Sequence, residues 1–156
     1  MKLKYKEMLL ILIMIVVFVI AGFLRDAVFT NINAQLFKLY FKNYEFTLPS
    51  YLSVFETWPY MKLYYFKYVI TAVFIIIYFT LSMLAVRIFS GSMDAVKWVY
   101  YAYGIVLLLC LLTYFGGIFL HNFPKGYLFT RNLVGLLQSP FIVMMIIPAL
   151  KLEKKS

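Results

Sequence analysis

The stretch that decides the fold is MLLILIMIVVFVIAGFL, residues 8–24, which has no charged side chain in 17 positions. Its apolar residues form one uninterrupted run, without the spacing of a half-buried helix or the alternation of a strand. A bilayer core of roughly 30 Å needs about 17 to 25 apolar helical residues, and backbone groups in lipid must bond internally, which favours helices. The run therefore predicts a transmembrane helix.

Three further uncharged runs of this kind follow along the chain. Of the 156 residues, 65% are hydrophobic and only 13% are charged, which lies outside the range of soluble domains. The sequence therefore predicts an all-α polytopic membrane protein with one transmembrane domain, residues 1–156. Its four predicted spans cover residues 8–24, 68–86, 98–120 and 133–150.

The beginning of the chain also resembles a secretory signal, because three lysines precede the first apolar run and Val19-Ile20-Ala21 is tolerable at a cleavage site. The apolar part of a signal is only about 7 to 15 residues long. The longer run here favours an uncleaved anchor. Cleavage would leave three spans, and this alternative stays open.

The net charge of +9 comes from basic residues that flank the spans. Lipid headgroups are therefore the expected partners, and nucleic acid is not. Charge in the short terminal tails favours both termini in the cytoplasm by the positive-inside rule, although the counts on the two sides are almost equal. The cytoplasmic side would hold Lys2, Lys4, Lys6, Arg87, Lys97, Lys151, Lys154 and Lys155, and the other side Arg25, Lys38, Lys42, Lys62, Lys67, Lys125 and Arg131.

The connection over residues 25–67 is the one sizeable extramembrane segment, and it is too aromatic for a flexible linker. We expect it to lie on the membrane on the non-cytoplasmic side. Within Gln35–Glu45, aromatic residues recur at helical spacing opposite lysines, which predicts a short interfacial amphipathic helix. A helix packed on the outer ends of the spans would show the same pattern.

A second helix start is expected near Thr57 to Pro59, because proline is tolerated in a first helical turn and not further in. That helix would run through Lys62 and Lys67 into the second span. Trp58 and Trp98 stand at span entrances, where aromatic belts form. The connections over residues 88–96 and 121–131 are short and contain glycine, so tight turns are expected there.

The residue types give no support for catalysis, a cofactor or a metal site, since the one histidine, His121, and the one cysteine, Cys110, stand apart and the six acidic residues are scattered. Ser and Thr within spans commonly bond to their own helix. Gln138-Ser139-Pro140 is more informative. An amide near the middle of a membrane needs a hydrogen-bond partner on another helix. The proline has no N–H, so it leaves one backbone carbonyl without its usual helical partner. A structural contact is favoured over a ligand contact.

The candidate interaction residues are mostly charged groups at the non-cytoplasmic ends of spans, together with one tryptophan and one mid-span amide. The charged groups could form one ionic cluster, or they could make separate headgroup contacts. The set is Arg25, Asp26, Glu56, Trp58, Lys62, Lys67, Arg131 and Gln138.

In layout the chain resembles the small exosortase-associated integral membrane proteins, which accompany exosortase-type sorting enzymes in some Gram-negative bacteria. The resemblance covers nearly the whole chain, and its tail is the most specific part. It rests on Arg25-Asp26, Ala27-Val28-Phe29, Leu48-Pro49, Lys67-Tyr68, Arg87, Leu128-Phe129-Thr130-Arg131, Gln138-Ser139-Pro140 and Ile146-Ile147-Pro148-Ala149.

This resemblance implies a non-catalytic accessory in a bacterial inner membrane, partnering an F- or X-type exosortase system that cleaves C-terminal sorting signals. The catalytic Cys, Arg and His would belong to that enzyme. Two other functions stay open. One is a small oligomeric channel or transporter, suggested by the mid-membrane Gln138. The other is a membrane enzyme, which would require Arg131, His121 and Glu56 to meet at one surface.

Overall fold

In the computed structural model, which describes residues 5–42 and 46–153, the chain is all-α and these residues contain no strand. Three helices are long and apolar enough to cross a membrane, and a bent helix pair makes a fourth crossing if it counts as one span. The predicted fold class is confirmed. The helices are α1 (Tyr5–Phe41), α2 (Tyr60–Ser90), α3 (Met93–Phe119), α4 (Phe123–Leu137) and α5 (Phe141–Glu153), with a 3-10 helix at Ser50–Phe55.

Large apolar side chains on the outer faces of the helices are exposed, which a bilayer explains and water does not. Leu12 on α1 is 59% exposed, and Leu108 and Leu112 on α3 are 56% and 59% exposed. These are the lipid-contacting faces.

The ends of α2 and α3 follow the sequence signals. α2 begins at Tyr60, directly after Pro59, whose carbonyl accepts from the Leu63 amide at 3.2 Å. At its other end, Gly91 has φ +65°, a left-handed conformation that favours glycine. Ser92 then caps α3, its hydroxyl accepting from the Asp94 amide at 3.2 Å. The tight turn is as predicted, whereas α2 begins one residue beyond the predicted start near Thr57 to Pro59.

The first helix does not end at Leu24 as predicted but runs on to Phe41, for 37 residues. Arg25 and Asp26, whose side chains pair at 2.7 Å, end the apolar run but not the helix, because charged residues leave the backbone hydrogen bonds of a helix intact. Asn31 also fits the helix, its side chain donating to the Ala27 carbonyl at 2.7 Å. The helix stops where Lys42 turns left-handed at φ 57°.

The predicted amphipathic helix of Gln35–Glu45 is thus the last part of α1 and no separate element, up to Phe41. Glu45 lies outside the described residues. That residues 25–67 lie on the membrane stays a prediction.

The predicted fourth span, 133–150, is broken in the structure. α4 begins ten residues earlier, at Phe123, and ends at Leu137, and α5 starts at Phe141 with a bend of 59° between them. Pro140 lacks the N–H that would continue α4, and the Ser139 hydroxyl donates to the Leu136 carbonyl at 2.8 Å instead. At the other end, Pro124 suits the first turn of α4.

The described residues form two compact units, each with its own core. The bundle unit comprises residues 5–18 and 75–153, and Val86, Val99, Leu137 and Ile142 belong to its main buried cluster. The aromatic unit comprises residues 19–42 and 46–74, and Ile32, Leu36 and Leu63 are at its centre.

Candidate functional site

In the aromatic unit, the segment 46–59 that connects α1 to α2 is held by polar contacts at both ends. The Lys38 ammonium donates to the Phe46 carbonyl at 2.6 Å, and the Glu56 carboxylate accepts from the Leu48 amide at 3.2 Å. Two of the segment's own side chains, Leu48 and Leu52, are buried. The segment is a folded element and no loose linker.

Aromatic rings form a cluster beside this segment. The rings of Phe55, Trp58 and Phe66 lie within 5.2 Å of one another, centroid to centroid. The Lys62 ammonium stands 4.0 Å from the centre of the Trp58 ring, a cation–π contact. Of the predicted residues, the structure therefore brings Trp58 and Lys62 together.

The acidic candidates have separate local partners. Asp26 pairs with the adjacent Arg25 at 2.7 Å, whereas Glu56 bonds to a backbone amide. Lys67 lies on α2, where its carbonyl accepts from the Thr71 hydroxyl at 2.9 Å. The two carboxylates of this unit are thus engaged in different contacts.

Gln35 is a residue that sequence reasoning did not single out. It is 2% exposed, and no hydrogen-bond partner of its Oε1 lies within the described ranges. The signal available in the sequence is that Gln35 stands one turn from Ile32 and beside Leu36, on the apolar side of the helix.

In the bundle unit, buried hydroxyls from α2 and α3 form hydrogen bonds at the break between α4 and α5. The hydroxyls of Ser82 on α2 and Tyr103 on α3 lie 3.1 Å apart, and the Tyr103 hydroxyl donates to the Leu137 carbonyl at 3.3 Å. Gln138 follows directly and is 6% exposed. Ser82 therefore has a partner on another helix, unlike Thr80, whose hydroxyl donates to its own helix at Ile76.

The contact between α3 and α4 fixes how the two helices are aligned. A Cβ on Gly117 would meet the Gly126 Cα at 2.8 Å, so the backbones touch there. One helical turn further along, the hydroxyls of Thr113 and Thr130 lie 2.9 Å apart. The Thr130 hydroxyl also donates to the Cys110 carbonyl at 3.4 Å. The helices are antiparallel and in close contact over this length.

This alignment moves Arg131 away from the end of a span, where the sequence analysis put it. Arg131 follows Thr130 and is therefore level with Cys110, near the middle of the predicted span 98–120. Its side chain is exposed. The predicted fourth span starts at Leu133, which puts Arg131 before it, whereas α4 starts at Phe123 and includes Arg131.

The remaining reactive side chains stand apart. His121 is exposed in the turn between α3 and α4, with Nδ1 3.2 Å from the Phe119 carbonyl, and Cys110 is buried at 7% exposure. In the part of the chain that the structure describes, no three His, Cys, Asp or Glu residues come together as metal ligands could. No protein family, no curated protein and no solved structure matches this chain.

Proposed function

We propose that this chain is a non-catalytic accessory subunit that binds a partner membrane protein through its aromatic unit. The observation that carries the proposal is the ordered connecting segment with its Phe55–Trp58–Phe66 ring cluster. Tryptophan and tyrosine dominate binding hot spots because they bury large areas with little loss of conformational entropy.

The aromatic unit has further large side chains that are exposed. Tyr51 and Val54, three residues apart on the 3-10 helix, are 65% and 68% exposed, and Tyr65 on α2 is 65% exposed. Because the segment is already ordered by the Lys38 and Glu56 contacts, a partner binding here would have little backbone to order.

An exosortase-type sorting enzyme is the partner we propose, in a bacterial inner membrane with both termini of this chain in the cytoplasm. The resemblance through Arg131, Gln138-Ser139-Pro140 and the Ile147-Pro148-Ala149 tail supports that choice. The lysines of the terminal tails support the orientation.

Site-specific photo-crosslinking in native membranes tests this function. A crosslinking amino acid at Trp58 or Phe41 is expected to capture one defined membrane protein, whereas the same amino acid at Leu12, on the lipid-contacting face of α1, is not. Failure of both Trp58 and Phe41 to capture a specific protein would contradict the proposal. A gene for an exosortase beside the gene for this chain would support the partner.

A small oligomeric channel or transporter is the second candidate, and the broken α4–α5 pair favours it. Discontinuous helices with buried polar groups at the break are a known way to build solute sites near the middle of a membrane. Ser82, Tyr103 and Gln138 stand at such a break. Purified protein in liposomes that moved none of a broad panel of ions and small solutes would exclude this candidate.

A further inference from the structure

Arg131 lies on α4 within the bundle unit, at a level where α3 is apolar. Three contacts order α4 along α3, from Gly126 against Gly117, through Thr130 against Thr113, to the Leu137 carbonyl under the Tyr103 hydroxyl. Arg131 comes one residue after Thr130, so it lies about two turns inside the C-terminal end of α3, at the level of the uncharged run 98–120.

The Arg131 side chain is exposed at this level, and within residues 5–42 and 46–153 it has no ion pair or hydrogen bond. An arginine in the middle of a bilayer is rare, and it normally pairs with an acid or faces a water-filled cavity. Lysines and arginines at helix ends can reach the headgroups, but Arg131 is eight residues past the first residue of α4, which is about 12 Å along the helix.

The residues around Arg131 on the same face of α4 favour a protein partner over water. The positions three and four residues away are Tyr127, Leu128, Val134 and Gly135. None is charged, and Val134 packs on the core of the bundle unit, which leaves Tyr127, Leu128 and Gly135 for a partner. Leu128 is 55% exposed, and around Gly135 a Cβ would find nothing within 4 Å. A helix could approach Gly135 closely and present one acid to Arg131.

We propose that this face of α4 binds a transmembrane helix of another polypeptide, which places an aspartate or glutamate against Arg131 within the bilayer. The inference rests on the proposed accessory function and names the chemistry of the partner. A second copy of this chain fits less well, because none of its six acidic residues lies within the apolar runs 8–24, 68–86, 98–120 and 133–150.

The test combines crosslinking with matched substitutions in the full-length chain. A photo-crosslinking amino acid at Leu128 is expected to capture a peptide from a membrane span that contains an acidic residue. Arg131→Met should lower that yield roughly tenfold or more, while Arg131→Lys keeps much of it. Lys125→Met removes a charge at the start of the same helix, and it should leave the yield unchanged. Replacing the partner's acid by its amide should reproduce the Arg131→Met result.

A stability measurement separates loss of binding from misfolding. The purified Arg131→Met chain should unfold at the same or a higher temperature than the wild type, because it no longer exposes an uncompensated charge to the apolar medium.

Several results would overturn the proposal. These are a crosslinked span without an acid, no crosslink from Leu128, or a yield that survives Arg131→Met. The proposal also fails if a membrane-impermeant thiol reagent rapidly modifies the cysteine of Arg131→Cys in a Cys110→Ala background, because the site would then face water. If Trp58 captures a partner that Arg131→Met leaves bound, this inference fails and the accessory function stands. If neither Trp58 nor Leu128 captures a specific protein, both fail.

Discussion

At the scale of single residues, the two adjacent glycines of α3 differ in what surrounds them. A Cβ at Gly117 would stand 2.8 Å from the Gly126 backbone, whereas one at Gly116 would meet nothing within 4 Å. Gly117→Ala should therefore destabilise the protein by about 1 to 3 kcal/mol, because the two helices must separate. Gly116→Ala is the matched control and should be close to neutral. Thermal unfolding in detergent checks both, and equal effects would contradict the close backbone contact.

Tyr103 makes the second prediction at this scale. It is 3% exposed, and its hydroxyl bonds to Ser82 and to the Leu137 carbonyl at the helix break. Tyr103→Phe should cost about 1 kcal/mol, since interhelical hydrogen bonds in membrane proteins are modest. Tyr100 shares the ring contact with Phe79 but is 55% exposed, so Tyr100→Phe should change the unfolding free energy less. An unaltered unfolding curve for Tyr103→Phe would mean that the hydroxyl is not needed at the break.

These residues also mark what the sequence could reveal. Gln138 could be recognised as a polar group that needs a hydrogen-bond partner, because amides are rare within apolar spans. Tyr103 could not, since a tyrosine within an apolar run looks the same whether its hydroxyl meets a partner or not. Arg131 was selected as an interaction residue, but its depth depends on the alignment of α3 with α4. That alignment is set by glycine and threonine contacts between residues far apart in the sequence.

At the scale of elements, the connecting segment 46–59 should open when its carboxylate contact is removed. Glu56→Ala deletes the acceptor of the Leu48 amide, and hydrogen exchange at Leu48 should then become roughly fivefold faster. Glu56→Gln keeps an oxygen acceptor at the same position, so exchange at Leu48 should increase less than in Glu56→Ala. Exchange measured by mass spectrometry over residues 46–59 gives the comparison. Identical exchange in wild type and Glu56→Ala would mean that other contacts hold the segment.

The elements themselves were predicted with uneven success, for physical reasons. Apolar runs fix the existence of spans because lipid imposes one solution on the backbone. They do not fix where a helix ends, since charged residues interrupt an apolar run without removing any backbone hydrogen bond. Arg25 and Asp26 do so, and α1 runs on to Phe41. In contrast, hydropathy does not register a break inside an apolar run, so the 59° bend at Pro140 was missed.

At the scale of the whole molecule, the open structural question is whether the bent pair α4–α5 crosses the membrane or returns to the side where α4 starts. Packing within the bundle unit favours a crossing. Gly126 near the start of α4 lies against Gly117 near the end of α3, whereas Ile142 at the start of α5 shares a buried cluster with Val86 and Val99, close to the turn at Gly91. The pair has thus covered most of the length of α3 before α5 begins.

We therefore expect Leu152, near the end of α5, to lie on the same side of the membrane as Ser92 and opposite His121. Single cysteines at these three positions in a Cys110→Ala background, treated with a membrane-impermeant thiol reagent in intact and in permeabilised cells, measure this directly. Ser92→Cys and Leu152→Cys should share one pattern of protection, and His121→Cys should show the opposite one. If Leu152→Cys follows His121→Cys instead, α4 and α5 form a re-entrant loop. The depth of Arg131 would be the same in that case, because the contacts of α4 with α3 set it, and only the side of the membrane that α5 reaches would change.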